Sequence, residues 1–390
     1  MKTSGEIFKS VSLLWLLFGF VVSVAAQQIS YVDDDLNLIV YDEAFLPFGF
    51  YCEALPFEEY PNLAEQIASG GFNFLYAESY WKTPEELPGY LANYDDFLQK
   101  CEAQQVHVVN GLLWQSVTPE LFDLYVNTFG QHAALVAWNL MDDANYMEIQ
   151  EVENQKNHLI ALDQSRVATI SFADIEPPVP YMLPLTDVAF MQSYPWGLQS
   201  EGHYLDLSDF YFRNLVLDCK EKHIFPMATP QTFNWIDQTY PSAAHIDCQT
   251  YLAFVTGMKG ILYYTFKDYD NNSTIDVTQP EVFAAASNVA NEILQSEWKD
   301  VVLHGLHEYH NIYQFKYYAT WRYNGAFYLI ALNADAENNQ LYEIPLPEDV
   351  AGEAVNFFPN RPDSLSVQNN RLTGELAPYQ VAIYKMETTR

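Results

Sequence analysis

Basic residues are scarce in this chain. Its 390 residues include 18 Lys and Arg against 51 Asp and Glu, which gives a formal net charge of −33 at pH 7. Proteins bind nucleic acids and anionic membranes through Lys and Arg side chains that neutralise phosphate. The composition therefore argues against both kinds of partner and leaves neutral or cationic partners open.

Several signatures of metal, nucleotide and serine chemistry are also missing. The four cysteines match no zinc-binding spacing and form no Cys-x-x-Cys pair. The chain lacks a glycine-rich phosphate turn and the Gly-x-Ser-x-Gly motif of serine hydrolases. His304, His307 and His310 are three residues apart, but that spacing on a strand sends side chains to alternate faces. We therefore expect neither a metal ion nor a cofactor.

One long apolar run is present, and it lies at the N-terminus. Two lysines precede the run at 11–22, and small residues follow it up to Ala26. This order is typical of a secretory signal peptide covering 1–26, with an uncleaved membrane anchor as the alternative. No later segment is apolar enough to cross a membrane, so we expect a secreted protein, periplasmic or extracellular, whose mature chain begins at Gln27.

Export makes disulfides possible among the four cysteines. Cys219 and Cys248 lie on predicted neighbouring helices and are the pair best placed for a bridge, with Cys52 and Cys101 remaining. Buried free thiols at all four positions are an equal alternative.

From residue 45 onwards, apolar runs alternate with segments of helical spacing. The predicted strands are at 45–51, 72–78, 106–114, 135–144, 166–172, 187–195, 224–233 and 260–266. Eight strand and helix units in succession predict a (β/α)8 TIM barrel over 27–299. A doubly wound sheet is the alternative, but it usually has fewer units and a glycine-rich turn. A short strand within 32–41 precedes the barrel, and the proline-rich stretch 177–184 is predicted to be a loop.

After residue 299 the pattern changes to short strands divided by turn residues. We predict strands at 301–306, 312–318, 325–333, 341–344, 354–358 and 379–386, with no helix. Asn324-Gly325 is a strong hairpin signal between two of them. The region 300–390 is therefore predicted to be a small antiparallel β-sandwich.

Acidic, amide and aromatic residues follow the predicted barrel strands. The apolar fourth strand ends in Asp142 and Asp143, and ligands of such barrels bind at the carboxyl ends of the strands. The other candidates at strand ends or in the following loops are Glu53, Glu78, Trp81, Asn110, Trp114, Gln192, Tyr194, Trp196, Gln231, Trp235 and Tyr264. Carboxylates, amides and aromatic faces without a basic cluster suit an uncharged, polyhydroxylated ligand such as a sugar.

Three segments carry a resemblance to a known superfamily. The stretch 41–51, ending Phe-Leu-Pro-Phe-Gly-Phe-Tyr, resembles the first strand of (β/α)8 glycoside hydrolases. Trp-Asn-Leu-Met-Asp-Asp-Ala at 138–144 is similar to their fourth strand, which ends Asn-Glu-Pro or Asp-Glu-Pro. Gln-Ser-Tyr-Pro at 192–195 resembles their sixth strand, and the C-terminal region resembles the β-domain that often follows such barrels. The resemblance implies that Asp143 occupies the position of the catalytic acid/base glutamate and Asp142 that of its neighbour.

The chain departs from the superfamily pattern at three positions, one of which is Ala144 in place of the proline. Asp143 is one methylene shorter than glutamate, and Gln231 stands where many relatives have the seventh-strand glutamate nucleophile. Retaining hydrolases need two carboxyl groups about 5 to 5.5 Å apart and inverting ones about 6.5 to 9.5 Å, so Asp143 needs a partner. Candidates are Glu78, Glu53, Asp237 and Asp268. Repulsion from Asp142 would help to keep Asp143 protonated near neutral pH.

The sequence thus predicts a secreted glycoside hydrolase acting on an oligo- or polysaccharide, with Asp143 as general acid/base. Asp142 and Glu78 are the other predicted catalytic residues, and the remaining strand-end residues are predicted to bind substrate. A glycan-binding protein without catalysis is one alternative, and a metal-dependent deacetylase or lyase on the same barrel is another. The sugar, the linkage, the stereochemical outcome and the oligomeric state stay open.

Overall fold

The computed structural model describes residues 28–52, 60–112, 118–175, 179–196, 204–234, 239–313 and 315–389. The strands are β1 Ser30–Val32, β2 Leu38–Val40, β3 Glu43–Phe45, β4 Phe48–Tyr51, β5 Phe74–Ser79, β6 His107–Leu112, β7 Leu135–Met141, β8 Val167–Phe172, β9 Val188–Ser193, β10 Phe225–Pro230, β11 Ile261–Tyr263, β12 Lys267–Asp268, β13 Ser273–Thr274, β14 Leu306–Tyr313, β15 Lys316–Tyr323, β16 Ala326–Asn333, β17 Gln340–Pro345, β18 Val350–Asn356, β19 Leu365–Gln368, β20 Arg371–Leu376 and β21 Val381–Thr388.

The α-helices are α1 Leu63–Ser69, α2 Leu87–Gln104, α3 Pro119–Phe129, α4 Ile149–Leu162, α5 Val179–Met182, α6 Tyr204–Lys222, α7 Ala243–Thr256, α8 Ile275–Thr278, α9 Pro280–Leu294 and α10 Trp298–His304. Short 3-10 helices span Ala144–Tyr146 and Leu183–Leu185. No helix in the described ranges is both long and apolar enough to cross a membrane.

Strands β4 to β11 form a closed barrel of eight parallel strands. They follow one another in chain order, and β11 pairs back onto β4 to close the sheet. The predicted TIM barrel is confirmed, and closure rules out the doubly wound alternative. Because side chains inside the barrel and beneath the helices are both buried, the strands carry the continuous apolar runs seen in the sequence.

A small antiparallel sheet of β1, β2 and β3 covers the N-terminal end of the barrel. Leu38 and Val40 of β2 belong to the same buried cluster as Phe190 and Met227 inside the barrel. The single strand predicted within 32–41 is therefore part of a three-stranded sheet. Since these side chains close the N-terminal end, a ligand can approach only from the carboxyl ends of the strands.

The C-terminal region is a two-sheet sandwich, as predicted. One sheet has the order β14-β15-β16-β21-β18 and the other β17-β20-β19. Phe327, Tyr342 and Tyr384 are among the side chains buried between them. At the predicted hairpin between β15 and β16, Asn324 and Gly325 both have positive φ angles, 48° and 74°, as the tight two-residue turn requires.

Some local predictions were wrong. The segment 301–306 is mostly helix α10, and 312–318 falls across the junction of β14 and β15 instead of forming one strand. The stretch 177–184 includes helix α5 rather than loop alone, and β19 and β20 were not predicted. Short apolar runs do not distinguish helix from strand, which explains the error at α10.

The four cysteines and two of the C-terminal histidines, His307 and His310, contact neighbouring protein groups. All four cysteines are buried free thiols, so the predicted bridge between Cys219 and Cys248 is absent and the alternative is confirmed. His307 Nε2 lies 3.0 Å from the carbonyl oxygen of Val255, while the ring of His310 stacks on Tyr318.

Arg361 connects the sandwich to two helices of the barrel. Its guanidinium donates to both carboxylate oxygens of Asp247 in α7, at 2.9 and 2.6 Å, and to Glu292 in α9 at 2.6 Å. The ring of Tyr251 lies beneath it, 4.5 Å from the guanidinium carbon. A planar, forked guanidinium is the group best suited to two carboxylates at once.

We expect Arg361→Ala to lower the free energy of unfolding by about 3 kcal/mol, because Asp247 and Glu292 would face each other without their shared cation. Denaturant titration of both proteins measures the difference. Arg371→Ala is the control, since its pair with Glu343 is exposed and should contribute less than about 0.5 kcal/mol. Equal small losses in both variants would contradict this assignment.

Candidate active site

Asp142 and Asp143 emerge where β7 ends at the mouth of the barrel. All seven residues of β7 are buried. Asp143 then adopts the left-handed conformation, with φ 49° and ψ 45°, and the 3-10 helix Ala144–Tyr146 follows directly. Asp adopts this conformation more readily than bulky residues, so the chain can turn sharply without glycine. The turn places two adjacent carboxylates at the carboxyl end of the sheet.

Gln192 of β9 joins these acids to β8. Its Nε2 donates to Asp143 Oδ1 at 2.7 Å and to Ser171 Oγ at 2.8 Å, and it lies 3.3 Å from Asp142 Oδ1. Ser171 in turn donates to Asp142 Oδ1, which is also 3.5 Å from the hydroxyl of Tyr51. A chain of polar contacts thus runs across four strands and fixes both carboxylates.

Burial changes the acidity of Asp143. Asp143 is exposed at the rim, and the protein that covers part of its carboxyl raises the pKa of that group above the usual range through this partial burial. The hydrogen bond from Gln192 acts in the opposite direction, because it stabilises the ionised form. A raised pKa agrees in direction with the prediction, but burial is its largest cause.

Glu78 lies at the same end of the barrel, two strands away from β7. Its side chain is almost fully buried, and it accepts hydrogen bonds from the hydroxyls of Tyr76, at 3.0 Å, and Tyr80. The Tyr76 ring lies against Tyr51, with centroids 4.2 Å apart, and Tyr51 reaches Asp142. Two tyrosines therefore stand between the carboxylates of Glu78 and Asp142.

Gly111 of β6 provides the space that this arrangement needs. It pairs in register with Glu78, and a Cβ atom there would lie 2.3 Å from the Tyr76 hydroxyl and 3.1 Å from Glu78 Cγ. Any larger residue would have to displace one of these side chains. Glycine is thus required inside the barrel at this level.

A cavity of about 310 Å³ opens beside Asp143. Its wall consists of Asp143, Tyr146, Ala173, Gln192, Tyr194, Leu207 and Tyr211. The ring of Tyr194 in this wall packs against the rings of Phe233 and Tyr264. The centroids of the three rings are 5.1 to 5.4 Å apart. One carboxyl, one amide and several tyrosines give the cavity flat apolar faces with polar edges.

Gln231 has a different function from a nucleophile in this structure. The side chain is fully buried, and its Oε1 accepts from the Trp196 backbone N–H at 2.8 Å. Its Nε2 donates to the carbonyl oxygens of Trp196 and Phe233, both at 3.0 Å. Because a carboxylate has no hydrogen for two carbonyls, only the amide satisfies these contacts. Gln231 therefore holds together the segments that follow β9 and β10.

Not every predicted side chain approaches Asp143. Asn110 is fully buried and bonds to Ser79 and to Tyr94 of α2, so it points outward from the barrel, beneath the helix. Trp196 donates from Nε1 to Thr239 at 3.1 Å and packs edge-on against His245. Trp81 follows β5 and is 53% exposed.

The remaining candidates divide into two groups. Asp268 is buried in the turn between β12 and β13, where hydrogen bonds from Thr278, Asn271 and Tyr240 outweigh its burial and lower its pKa. Glu53, Trp114, Trp235 and Asp237 lie outside the described residues. Within the described residues, no three His, Cys, Asp or Glu side chains converge as metal ligands.

Comparison with known proteins identifies the fold. No family model and no curated protein matches the chain. AmyP solved with maltotriose superposes with a TM-score of 0.60 at 9% identity, covering 84% of this chain and 90% of its own. An Anoxybacillus alpha-amylase gives 0.57 at 9% identity, covering 85% and 90%, and a Clostridium papyrosolvens GH30 endoxylanase gives 0.51 at 10%, covering 88% and 97%.

The chain has the fold of a (β/α)8 glycoside hydrolase. Identities near one in ten establish the scaffold alone, so the role of each residue at the mouth of the barrel depends on its own surroundings. Six residues at the mouth of the barrel were not predicted from the sequence: Tyr51, Tyr76, Gly111, Tyr146, Ser171 and Tyr211. Tyr51 and Ser171 lie at the ends of predicted strands, and that position was the available signal.

We expect Gln231→Glu to lower the free energy of unfolding by about 3 kcal/mol or more, because a buried carboxylate would face two carbonyl oxygens. Thermal and denaturant unfolding measure this loss. The same change at exposed Gln164 is the matched control and should alter stability by less than about 0.5 kcal/mol. A Gln231→Glu protein as stable as wild type would show that this position tolerates a carboxylate.

Proposed function

We propose that this chain is a secreted glycoside hydrolase that cleaves glycosidic bonds in an oligo- or polysaccharide, with Asp143 as the proton donor. One observation carries the proposal: a carboxyl with a raised pKa opens into a tyrosine-lined cavity at the mouth of a glycosidase-like barrel. The tyrosine faces suit the C–H faces of a sugar ring. The structural neighbour AmyP was solved with maltose and with maltotriose, which makes α-glucans the first substrates to test.

In this mechanism, protonated Asp143 donates its proton to the glycosidic oxygen as the bond to the sugar breaks. A carboxyl whose pKa is raised stays protonated closer to neutral pH, which general acid catalysis requires. Asp142, fixed by Ser171 and Gln192, supplies negative charge beside the positive charge that develops on the sugar.

Glu78 is the carboxylate that we assign to the activation of water. Hydrogen bonds from the hydroxyls of Tyr76 and Tyr80 hold its carboxyl group in place at the mouth of the barrel. This assignment entails an inverting reaction, in which the base activates a water molecule and no covalent intermediate forms.

A glycan-binding protein without catalysis is the second candidate. The observation in its favour is Gln231, whose amide is committed to backbone contacts where many relatives have a nucleophile. Such a protein would use the same tyrosine-lined cavity and leave the glycosidic bond intact.

We expect the exported chain, beginning at Gln27, to release reducing sugar from at least one of starch, xylan, mannan and β-glucan. Asp143→Asn should lower kcat by about 10² to 10⁴-fold, because it removes the proton donor and keeps the shape. Asp34→Asn, an exposed acid far from the site, is the matched control and should leave kcat unchanged. Binding of a glycan without cleavage would favour the second candidate.

The pH dependence of kcat should report the contact between Gln192 and Asp143. Activity should fall as pH rises through the pKa of Asp143, since the acid then loses its proton. Gln192→Met removes a hydrogen bond that stabilises the ionised form, so the pKa should rise and the alkaline limb should move to higher pH. A limb that stays in place, or moves to lower pH, would contradict Asp143 as the acid.

A further inference from the structure

Several aromatic side chains on the segments that follow β7, β8 and β9 are exposed to solvent. Tyr146 is 77% exposed, Tyr181 is 68% exposed and Phe210 is 46% exposed, while Tyr211 is partly buried in the cavity wall. These four residues, which we call the β7–β9 platform, come from the segments that follow β7, β8 and β9. Apolar rings gathered on one side of a cavity are typical of a recognition surface.

The backbone that carries these rings is firmly held. Asn145 donates from Nδ2 to the Asp174 carbonyl oxygen at 2.7 Å and accepts from the Ala173 N–H at 2.8 Å, which ties the turn bearing Tyr146 to the end of β8. Val179 and Met182 are fully buried and anchor α5, so Tyr181 projects from a fixed helix. That helix contacts the 3-10 helix Ala144–Tyr146.

The third part of the platform lies on α6. The rings of Phe210 and Tyr211 are neighbours, 5.9 Å apart, and Tyr211 also lines the cavity. Asp209, in the same helix, accepts a hydrogen bond from Tyr309 of the sandwich at 2.7 Å. A backbone held in place before a ligand arrives loses little conformational entropy on binding, which increases affinity.

The platform is continuous with the cavity, because Tyr146 and Tyr211 belong to both. A volume of about 310 Å³ is at the lower end of the range for ligand pockets, which is about 300 to 1,000 Å³. It can therefore hold only a short part of a glycan. Further sugar units must leave the cavity, and the platform extends from its wall through Tyr146 to the neighbouring helix α5 and through Tyr211 to Phe210.

We propose that the β7–β9 platform binds additional units of an uncharged glycan chain whose reacting end occupies the Asp143 cavity. The inference rests on the proposed function, since it takes the occupant of the cavity to be a sugar. Each unit would place its C–H face on a ring and keep its hydroxyls in water. Affinity should then increase with chain length.

The test measures binding of maltooligosaccharides and xylooligosaccharides of two and six units to Asp143→Asn by calorimetry. We expect the six-unit member of at least one series to bind more tightly than the two-unit member. Adding Tyr181→Ala should weaken six-unit binding by about threefold to tenfold, because one stacking contact is lost, and leave two-unit binding unchanged. Tyr181→Phe, added to Asp143→Asn in the same way, keeps the ring and should bind both chain lengths as tightly as Asp143→Asn alone, which is the parent protein of this test.

Tyr31→Ala is the matched control, since Tyr31 is an exposed tyrosine in β1 at the opposite end of the barrel. It should change neither affinity. Equal affinity of the parent and Tyr181→Ala for the six-unit chains, or no gain with length in either series, would overturn the platform.

The two proposals fail in different ways. Cleavage of a polysaccharide with the same kcat/KM in wild type and Tyr181→Ala would support the hydrolase and overturn the platform. Length-dependent binding that Tyr181→Ala weakens, without any cleavage by wild type, would support the platform and overturn the hydrolase.

Discussion

The pairing of β11 with β4 closes the barrel, and the candidate site depends on that closure. In a closed parallel sheet every strand delivers its carboxyl end to one mouth, whatever its distance along the chain. Tyr51 at the end of β4 thereby meets Asp142 after β7 and Tyr264 after β11. The same geometry leaves the opposite end to be filled by Leu38 and Val40 of β2. One end is thus sealed with apolar side chains, and polar groups can collect only at the other.

Two glutamines, Gln192 and Gln231, determine how carboxyl groups are placed at the carboxyl ends of the barrel strands. The amide of Gln192 reaches both acids after β7, and its hydrogen bond favours the ionised form of Asp143, while burial favours the protonated form and raises the pKa. The amide of Gln231 instead bonds to three backbone groups of Trp196 and Phe233. An acid at that position would be repelled by the same carbonyls. The mechanism that we propose accordingly takes its carboxylates from β5 and from the end of β7.

The sequence predicted the barrel well because its strands are long apolar runs separated by helical segments with clear ends. Thr118 and Pro119, for example, start α3 as their residue types require. The site was harder to predict, because neighbouring residues of a strand face opposite sides. Asn110 was predicted to bind substrate, but its side chain points outward from the barrel. Gly111 beside it faces Glu78 inside the barrel. The alternation in β6 is regular, since Val108 packs beneath the helices and Val109 packs inside the barrel, but an all-apolar strand does not show from its sequence which of the two faces is inward. The local sequence also did not predict that the cysteines would remain unpaired or that 298–304 would form helix α10. Both depend on packing against elements that are distant in the chain.

Helix α6 shows why the sandwich matters to a site that it does not enter. Leu207 and Tyr211 face the Asp143 cavity, while Asp206 and Asp209 on another face accept hydrogen bonds from Tyr317 and Tyr309 of the five-stranded sheet. Burial raises the pKa of Asp209 to about 6, and the hydrogen bond from Tyr309 partly offsets this effect. Hydrogen bonds to charged groups typically contribute about 1.5 to 3 kcal/mol each, so two of them hold the helix firmly. Because a rigid helix transmits its position to every face, the tyrosines of the sandwich also fix the wall of the cavity. The C-terminal domain therefore helps to position the residues of α6 that line the cavity.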